Sequence, residues 1–578
     1  MDKKILKRRI DVAAGREPAD LRIANCRVVD VYNKTCFNAD VLVCDGYIAG
    51  YGAAGFPEAL ETFDAKGAYL APGLIDSHVH IESSHLSPAE FSRLVVPHGT
   101  TTVVADPHEI CNVCDLEGFD YMLRASEGIA LQVFLQVPSC VPCTPFEHAG
   151  GDLDAREIST VIGQDRVLGL GELMNYVGVC LADDAILDKL MEAFRVGKIV
   201  DGHSPGLKGS ALDAYVACGV RTDHECSTPD ELRERIRRGM YVMLRQGTAC
   251  HDVLNLLPGV NDGNDRFCMF CTDDRQSASI IEEGHIDHNI RIAVGAGLDP
   301  ITALRIATIN VADCYGLRDR GAVAPGKRAD LILFDDLNDL YVREVWVGGR
   351  HVASDGTYLA KDPHVAPKGV SGCMNVRDFS AERLALPLKS DRVRTIRLVP
   401  GSVVTETGHA TVRRDAAGRW IRDEQDIVKI AVVERHRGTG NVGLGLLEGY
   451  GLKNGAIATS VAHDSHNIIV AGDSDRDMAM AVERLVEMGG GMAIAQDGKL
   501  LDSLQHEIAG LMTDRSGEFV AQRIDKLCYI AAQALGIPKC IDPFMALCFM
   551  ALPVIPWIKI TDNGLFDVGA FRIVPVEE

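Results

Sequence analysis

Six side chains in this sequence have the types that together bind and use metal ions: His78, His80, Glu172, His203, His224 and Asp273. His78 and His80 form an HxH pair. Residues two apart on a strand point to the same side, so both imidazoles can face one ion. Imidazole and carboxylate suit zinc, iron(II) or manganese(II). Six protein ligands exceed what one open catalytic ion needs. Two divalent ions sharing a carboxylate account for the number better. Such a pair can hold a water between them, lower its pKa and clamp the attacking oxygen. A single histidine near a strand end is more often only a hydrogen-bonded residue. What sets these six apart is that each falls at or near the end of an expected strand.

Those strands alternate with helix-like stretches. The apolar runs are GLIDSHVHI (73–81), TTTVVADP (100–107), ALQVFLQVP (130–138), VLGLGELM (167–174), KIVDGH (198–203), VRTDHE (220–225), YVMLRQG (241–247) and FCMFCTDD (267–274). Between them lie segments such as PAEFSRLVVPHG and TPDELRERIRRG, the latter with Thr228 or Ser227 as N-cap and Pro229 near its first position. Continuous apolar strands alternating with helices mean a parallel sheet, and eight of them predict a closed α/β barrel of the (β/α)8 TIM type. Such barrels build their active sites at the C-terminal ends of the strands, where the six candidate ligands lie.

The barrel is expected over residues 71–317, ending in the helical PITALRIATINVADCYGL. Alternating, Gly- and Asp-punctuated runs flank it: LRIANCRVVDVY and DVLVCDGYIAGYG before, ADLILFDD and YVREVWVGGRHVAS after. They predict one small β-sandwich built from residues 1–70 and 318–375, with the barrel inserted. Residues 376–578 form a further α+β domain, with a helix stopping at Gly489, Gly490 and Gly491 before a strand.

A net charge of −22 repels phosphate backbones, which argues against a nucleic-acid partner but not against a free nucleobase. The start, MDKKILKRRI, lacks an apolar signal core, and no run of about 20 apolar residues predicts a membrane span. Eighteen cysteines without an export signal read as reduced thiols in the cytoplasm. An acidic multidomain chain of this size is expected to form a homo-oligomer, a dimer or higher.

The run APGLIDSHVHIESS is similar to the first-strand motif of the amidohydrolase superfamily. Many of its members bridge their metals with a carboxylated lysine. Here GLGELMN supplies Glu172 instead, a departure that resembles the adenine deaminase family. HGTTTVVADPHEICNV, PSCVPCTPFEHAG, DGHSPGL and AHDSHNIIVAG resemble it too, in order and over nearly the whole chain. The resemblance implies one ion on His78, His80 and Asp273, another on His203 and His224, and Glu172 bridging. The ions would be manganese(II) or iron(II), with zinc an alternative. Asp273 would take a proton from the bridging hydroxide's parent water and pass it toward the leaving amine, with His224 polarising the reacting centre. The implied substrate is adenine, attacked at C6 to give hypoxanthine and ammonia in purine salvage.

Other residues carry two readings each. Asp106, His108 and Glu109 would hydrogen-bond the purine ring, or be a loop held by Asx-type turns after Pro107. Ser83, Ser84 and His85 follow the HxH pair and would line the same pocket. Arg245 would contact substrate or pair with an acidic neighbour. Cys111/Cys114 and Cys140/Cys143 are better read as reduced thiols than as a structural zinc site, since 25 residues separate the pairs. His463, Asp464 and His466 are a second polar cluster, either an ion or barrel-mouth group or a turn between strands. Against the deaminase stand a cyclic-amide hydrolase on the same barrel, a deaminase of another 6-aminopurine, and a non-catalytic assembly partner, which would be expected to have lost ligands.

Overall fold

The computed structural model describes residues 2–52 and 59–578; Met1 and residues 53–58, within the expected N-terminal part of the β-sandwich, lie outside the described residues. Eight parallel strands form the centre: Leu74–Val79, Thr100–Ala105, Gln132–Val137, Val167–Leu173, Ile199–Gly202, Thr222–Asp223, Tyr241–Arg245 and Cys268–Cys271. Each corresponds to one apolar run read from the sequence. Most of their residues are buried on both faces, which explains runs that are apolar throughout rather than alternating.

The first five strands make one ladder and the last three another. The Arg221 N–H donates to the Val200 carbonyl at 2.8 Å across the seam between them. The ring closes where the eighth strand returns to the first: the Asp273 N–H donates to the His78 carbonyl at 3.0 Å, and the His80 N–H to the Asp273 carbonyl at 3.1 Å. Backbone closure therefore fixes three of the six candidate ligands against one another. Asp273 has φ 60°, a left-handed conformation that costs a non-glycine residue energy and collects at functional sites.

The helix Pro229–Arg237 begins with a capping box between Thr228 and Glu231 and has Pro229 in its first turn, which settles Thr228 over Ser227 as N-cap. Its buried Arg235 reaches back under the barrel rim to Asp223 at 2.9 Å. The flanking β segments join in a single nine-stranded sheet, through antiparallel pairing of Tyr69–Pro72 with Leu331–Phe334.

The C-terminal region holds an eight-stranded sheet running from Arg392–Leu398 to Lys499–Gln505 in sequence, with the helices Asp475–Met488 and Gly517–Ala534. The first of these stops at Gly489, in a left-handed cap (φ 78°), before the strand Gly491–Gln496. The region docks on the barrel: the Thr513 N–H donates to the His85 carbonyl at 3.0 Å, and the His148 N–H to Asp562 at 2.9 Å. Among the described residues, no helix is long and apolar enough to cross a membrane.

Candidate metal centre and substrate pocket

Glu172 lies near the end of the fourth barrel strand and stands at the middle of the imidazoles. Its Oε1 lies 3.2 Å from His80 Nε2 and 3.6 Å from His78 Nε2; its Oε2 lies 2.9 Å from His203 Nδ1 and 3.4 Å from His224 Nε2. One carboxylate thus has an oxygen toward each of two imidazole pairs. Asp273 Oδ1 completes the first group, 3.1 Å from His80 Nε2 and 3.6 Å from His78 Nε2. All six side chains expected from the sequence are brought together, and all are buried.

The donor atoms fit divalent ions. The sets His78–His80–Glu172 and Glu172–His203–His224 each present ligand atoms within 4.8 Å of one another. His203 Nδ1 and His224 Nε2 face each other at 3.3 Å, and the buried His78 Nε2 has no hydrogen-bond partner. Nitrogens left in this way are costly unless something binds them. His80 Nδ1 donates to the Asp106 carbonyl at 2.8 Å, which fixes the tautomer and leaves the Nε2 lone pair for an ion. Burial opposes ionisation of Glu172, yet the surrounding imidazoles of His108, His203, His224 and His80 hold its carboxyl well below the usual range. Burial likewise opposes ionisation of Asp273, and His78, His80 and Arg245 hold it low.

A rigid frame stands behind these groups. The Glu172 N–H donates to Asp106 Oδ2 at 2.9 Å, and the His203 N–H to the Tyr215 hydroxyl at 2.8 Å. Asp223, next to His224, accepts from Arg235 at 2.9 Å and from the Ser204 hydroxyl at 2.5 Å. Asp273 and Asp274 part company beyond the end of the strand, where the left-handed Asp273 turns the backbone and Asp274 accepts from Ser83 Oγ at 2.5 Å.

The remaining candidates divide. His108 Nδ1 lies 3.3 Å from Glu172 Oε1, and Glu109 is close behind; both line the cavity above Glu172. Asp106 instead sits beneath, orienting Glu172 and His80. Arg245 also borders this cavity, with its guanidinium spread over three carboxylates: Asp273 at 2.8 Å, Asp252 at 3.3 Å, and Glu225. Ser83 and His85 line a neighbouring cavity at the domain junction, whereas the Ser84 hydroxyl is turned to the Ile81 carbonyl at 2.6 Å. The paired CxxC cysteines remain free thiols with separate partners: Cys114 lies 3.3 Å from Cys373, and Cys143 donates to Glu147 at 3.0 Å. Sequence reasoning missed Glu225, 3.4 Å from His224 Nε2 and bonded to Arg245. Its place directly after His224 was the available signal. His463 and Asp464 project from the C-terminal region into the same cavity.

A barrel with imidazoles and carboxylates at its strand ends is the architecture of the amidohydrolases, and the Amidohydrolase family matches residues 69–352. The Adenine deaminase C-terminal domain matches residues 402–572. The chain is 50% identical over its full length to adenine deaminase 2 of Desulfotalea psychrophila, covering all of that protein. It is 51% identical to the adenine deaminase of Nitratidesulfovibrio vulgaris and 46% identical to that of Ligilactobacillus salivarius, over 98% of both chains in each case. The chain belongs to the adenine deaminase family.

Proposed function

We propose that the protein hydrolyses adenine to hypoxanthine and ammonia. The observation that carries this reading is the end-to-end match to relatives named adenine deaminase, C-terminal domain included. The grouping of five further candidate ligands about Glu172 supports it. Two divalent ions would be held by His78, His80 and Asp273 on one side and His203 and His224 on the other, with Glu172 between. Manganese(II) or iron(II) suits this nitrogen and oxygen set, and zinc is the alternative. When bound, such ions supply Lewis acidity and a water of lowered pKa.

The chain's own residues do the rest. Asp273 Oδ1 takes the proton from the attacking water and later gives it to the departing amine, a role its position among the ligands suits. The Arg245 guanidinium holds the other Asp273 oxygen at 2.8 Å, so Oδ1 stays aimed inward. A C–O bond forms at C6, the C–N bond then breaks, and ammonia leaves. His224 lies where it can polarise the reacting carbon. His108 and Glu109 offer hydrogen bonds to the purine edge, while Asp106 orients Glu172. Ser83 contributes at the pocket rim through Asp274. The barrel is assigned to residues 71–317, the divided β-domain to 1–70 and 318–375, and the C-terminal domain to 376–578. A purine-salvage role in the cytoplasm, as a homo-oligomer, accords with this chemistry.

The test is ammonia release from a panel of purines and cyclic amides, with enzyme purified without chelator and reloaded separately with manganese(II), iron(II) or zinc. Metal-dependent release from adenine, with hypoxanthine as product, is expected. Turnover of another 6-aminopurine but not adenine would move the substrate, and turnover of cyclic amides alone would replace the reading.

A further inference from the structure

The C-terminal region places two histidines on a carboxylate of the barrel. Glu109 follows the second barrel strand, and its side chain is buried. His463 Nδ1 meets Glu109 Oε1 at 2.7 Å, and His466 Nε2 meets Oε2. Three such groups resemble a third metal site, but the other nitrogen of His466 excludes it as a ligand. His466 Nδ1 accepts the Ala462 backbone N–H at 3.0 Å, so in the neutral ring the proton sits on Nε2, where it is donated to Glu109. A nitrogen that carries a proton has no lone pair for a cation.

The contact matters because of what Glu109 would otherwise do. His108 Nε2 lies 3.5 Å from Glu109 Oε1, beyond hydrogen-bond length but within a small side-chain rotation. A Glu109 released from the C-terminal histidines would find its nearest donor in His108. Carboxylate and imidazole would then satisfy each other instead of a ligand. Each carboxylate oxygen has two acceptor sites, so the two histidines leave Glu109 with capacity to accept from a substrate N–H. His463 is itself fixed from behind by the Phe549 ring, stacked at 4.7 Å.

We propose that His466 and His463 are positioning residues: they hold the Glu109 carboxylate away from His108, so that the segment Ala462–Asn467 of the C-terminal region completes the substrate pocket of the barrel. This rests on the deaminase reading for the identity of the substrate.

The test is a cycle of four proteins: wild type, H466L, E109Q and H466L/E109Q, each with its metals. H466L is expected to raise KM for adenine about 10- to 100-fold, with a smaller change in kcat, as loss of a hydrogen bond to a charged group implies. H466Q, whose amide nitrogen can occupy the Nε2 position, is expected to recover most of the loss. In the E109Q background, H466L should change KM less than 2-fold, because its effect runs through Glu109. Equal effects in both backgrounds would overturn the proposal, as would a wild-type KM in H466L. A third metal equivalent present in wild type and lost in H466L would also overturn it. Should H466L not fold, H463L in the same cycle reads the same coupling. Lack of adenine turnover by wild type would refute the deaminase reading instead. The unfolding midpoints of the four proteins then decide the clamp, additive shifts refuting it.

Discussion

Replacing Glu172 with glutamine tests the centre of the site most directly. The side chain keeps its shape, so the barrel should fold unchanged. One oxygen becomes an NH2 group, however, and the charge is lost. The carboxylate now serves His80 and His108 on Oε1, at 3.2 and 3.3 Å, and His203 and His224 on Oε2, at 2.9 and 3.4 Å. Whichever oxygen is replaced, two of these contacts face a donor instead of an anion. A ligand that loses its charge loses its direct attraction for the cation, and removing even an outer partner of a metal ligand costs about 10–100-fold in metal affinity. Loss of the shared carboxylate itself should therefore cost at least about 100-fold in affinity for the more weakly held ion. The assay is metal content by mass spectrometry after dialysis against graded chelator, with adenine turnover on the same samples. The variant should retain at most one equivalent where wild type retains two, and turnover should fall in step. Glu172→Gln with two ions per chain at wild-type chelator resistance and full turnover would refute the bridging role.

Two further outcomes are expected. Arg235→Met breaks a fully buried ion pair with Asp223 beside two candidate ligands; it should cost about 3–5 kcal/mol of stability in denaturant titration, and a loss below about 1 kcal/mol would mean the frame behind His203 and His224 is not carried by this pair. Lys559 is buried against the Val403 and Phe549 carbonyls, and burial pulls its amine down to about 7 from 10.5. The unfolded chain therefore binds more protons between those pH values, and this group's contribution to stability rises with pH across that window. Lys559→Met removes that slope, so its melting temperature relative to wild type should be highest near pH 7 and decline toward pH 10; a difference flat over that range would mean the amine is not perturbed.

The sequence by itself determined the barrel and most of its centre. Eight apolar runs are a signal that burial on both faces enforces, because a strand covered on each side cannot afford polar residues except at its ends. Polar residues at those ends therefore stood out, and His78, His80, Glu172, His203, His224 and Asp273 were legible as one group before any distance was known. The HxH spacing placed two of them on one side by strand geometry alone. Helix ends were legible for similar local reasons: Thr228 caps through a box with Glu231, and Gly489 takes a left-handed turn that glycine adopts without a steric penalty.

What the tertiary structure decided lies where partners are far apart in the chain. Arg245 has a charge that suits either a substrate or a neighbour. Only the fold sets it among Glu225, Asp252 and Asp273. Asp106 lies next to the pocket in sequence, yet the turn after its strand directs it beneath Glu172 rather than toward the cavity. The spacing of the CxxC pairs argued for reduced thiols, but only packing could give Cys114 a neighbour in Cys373, 259 residues away. The contact of His463 and His466 with Glu109 spans more than 350 residues and joins two regions whose local sequences say nothing of each other. Periodicity and capping act over a few residues, so a sequence displays them. Which side chain meets which across a domain junction depends on how two folded surfaces dock, and that is fixed only when the whole chain packs.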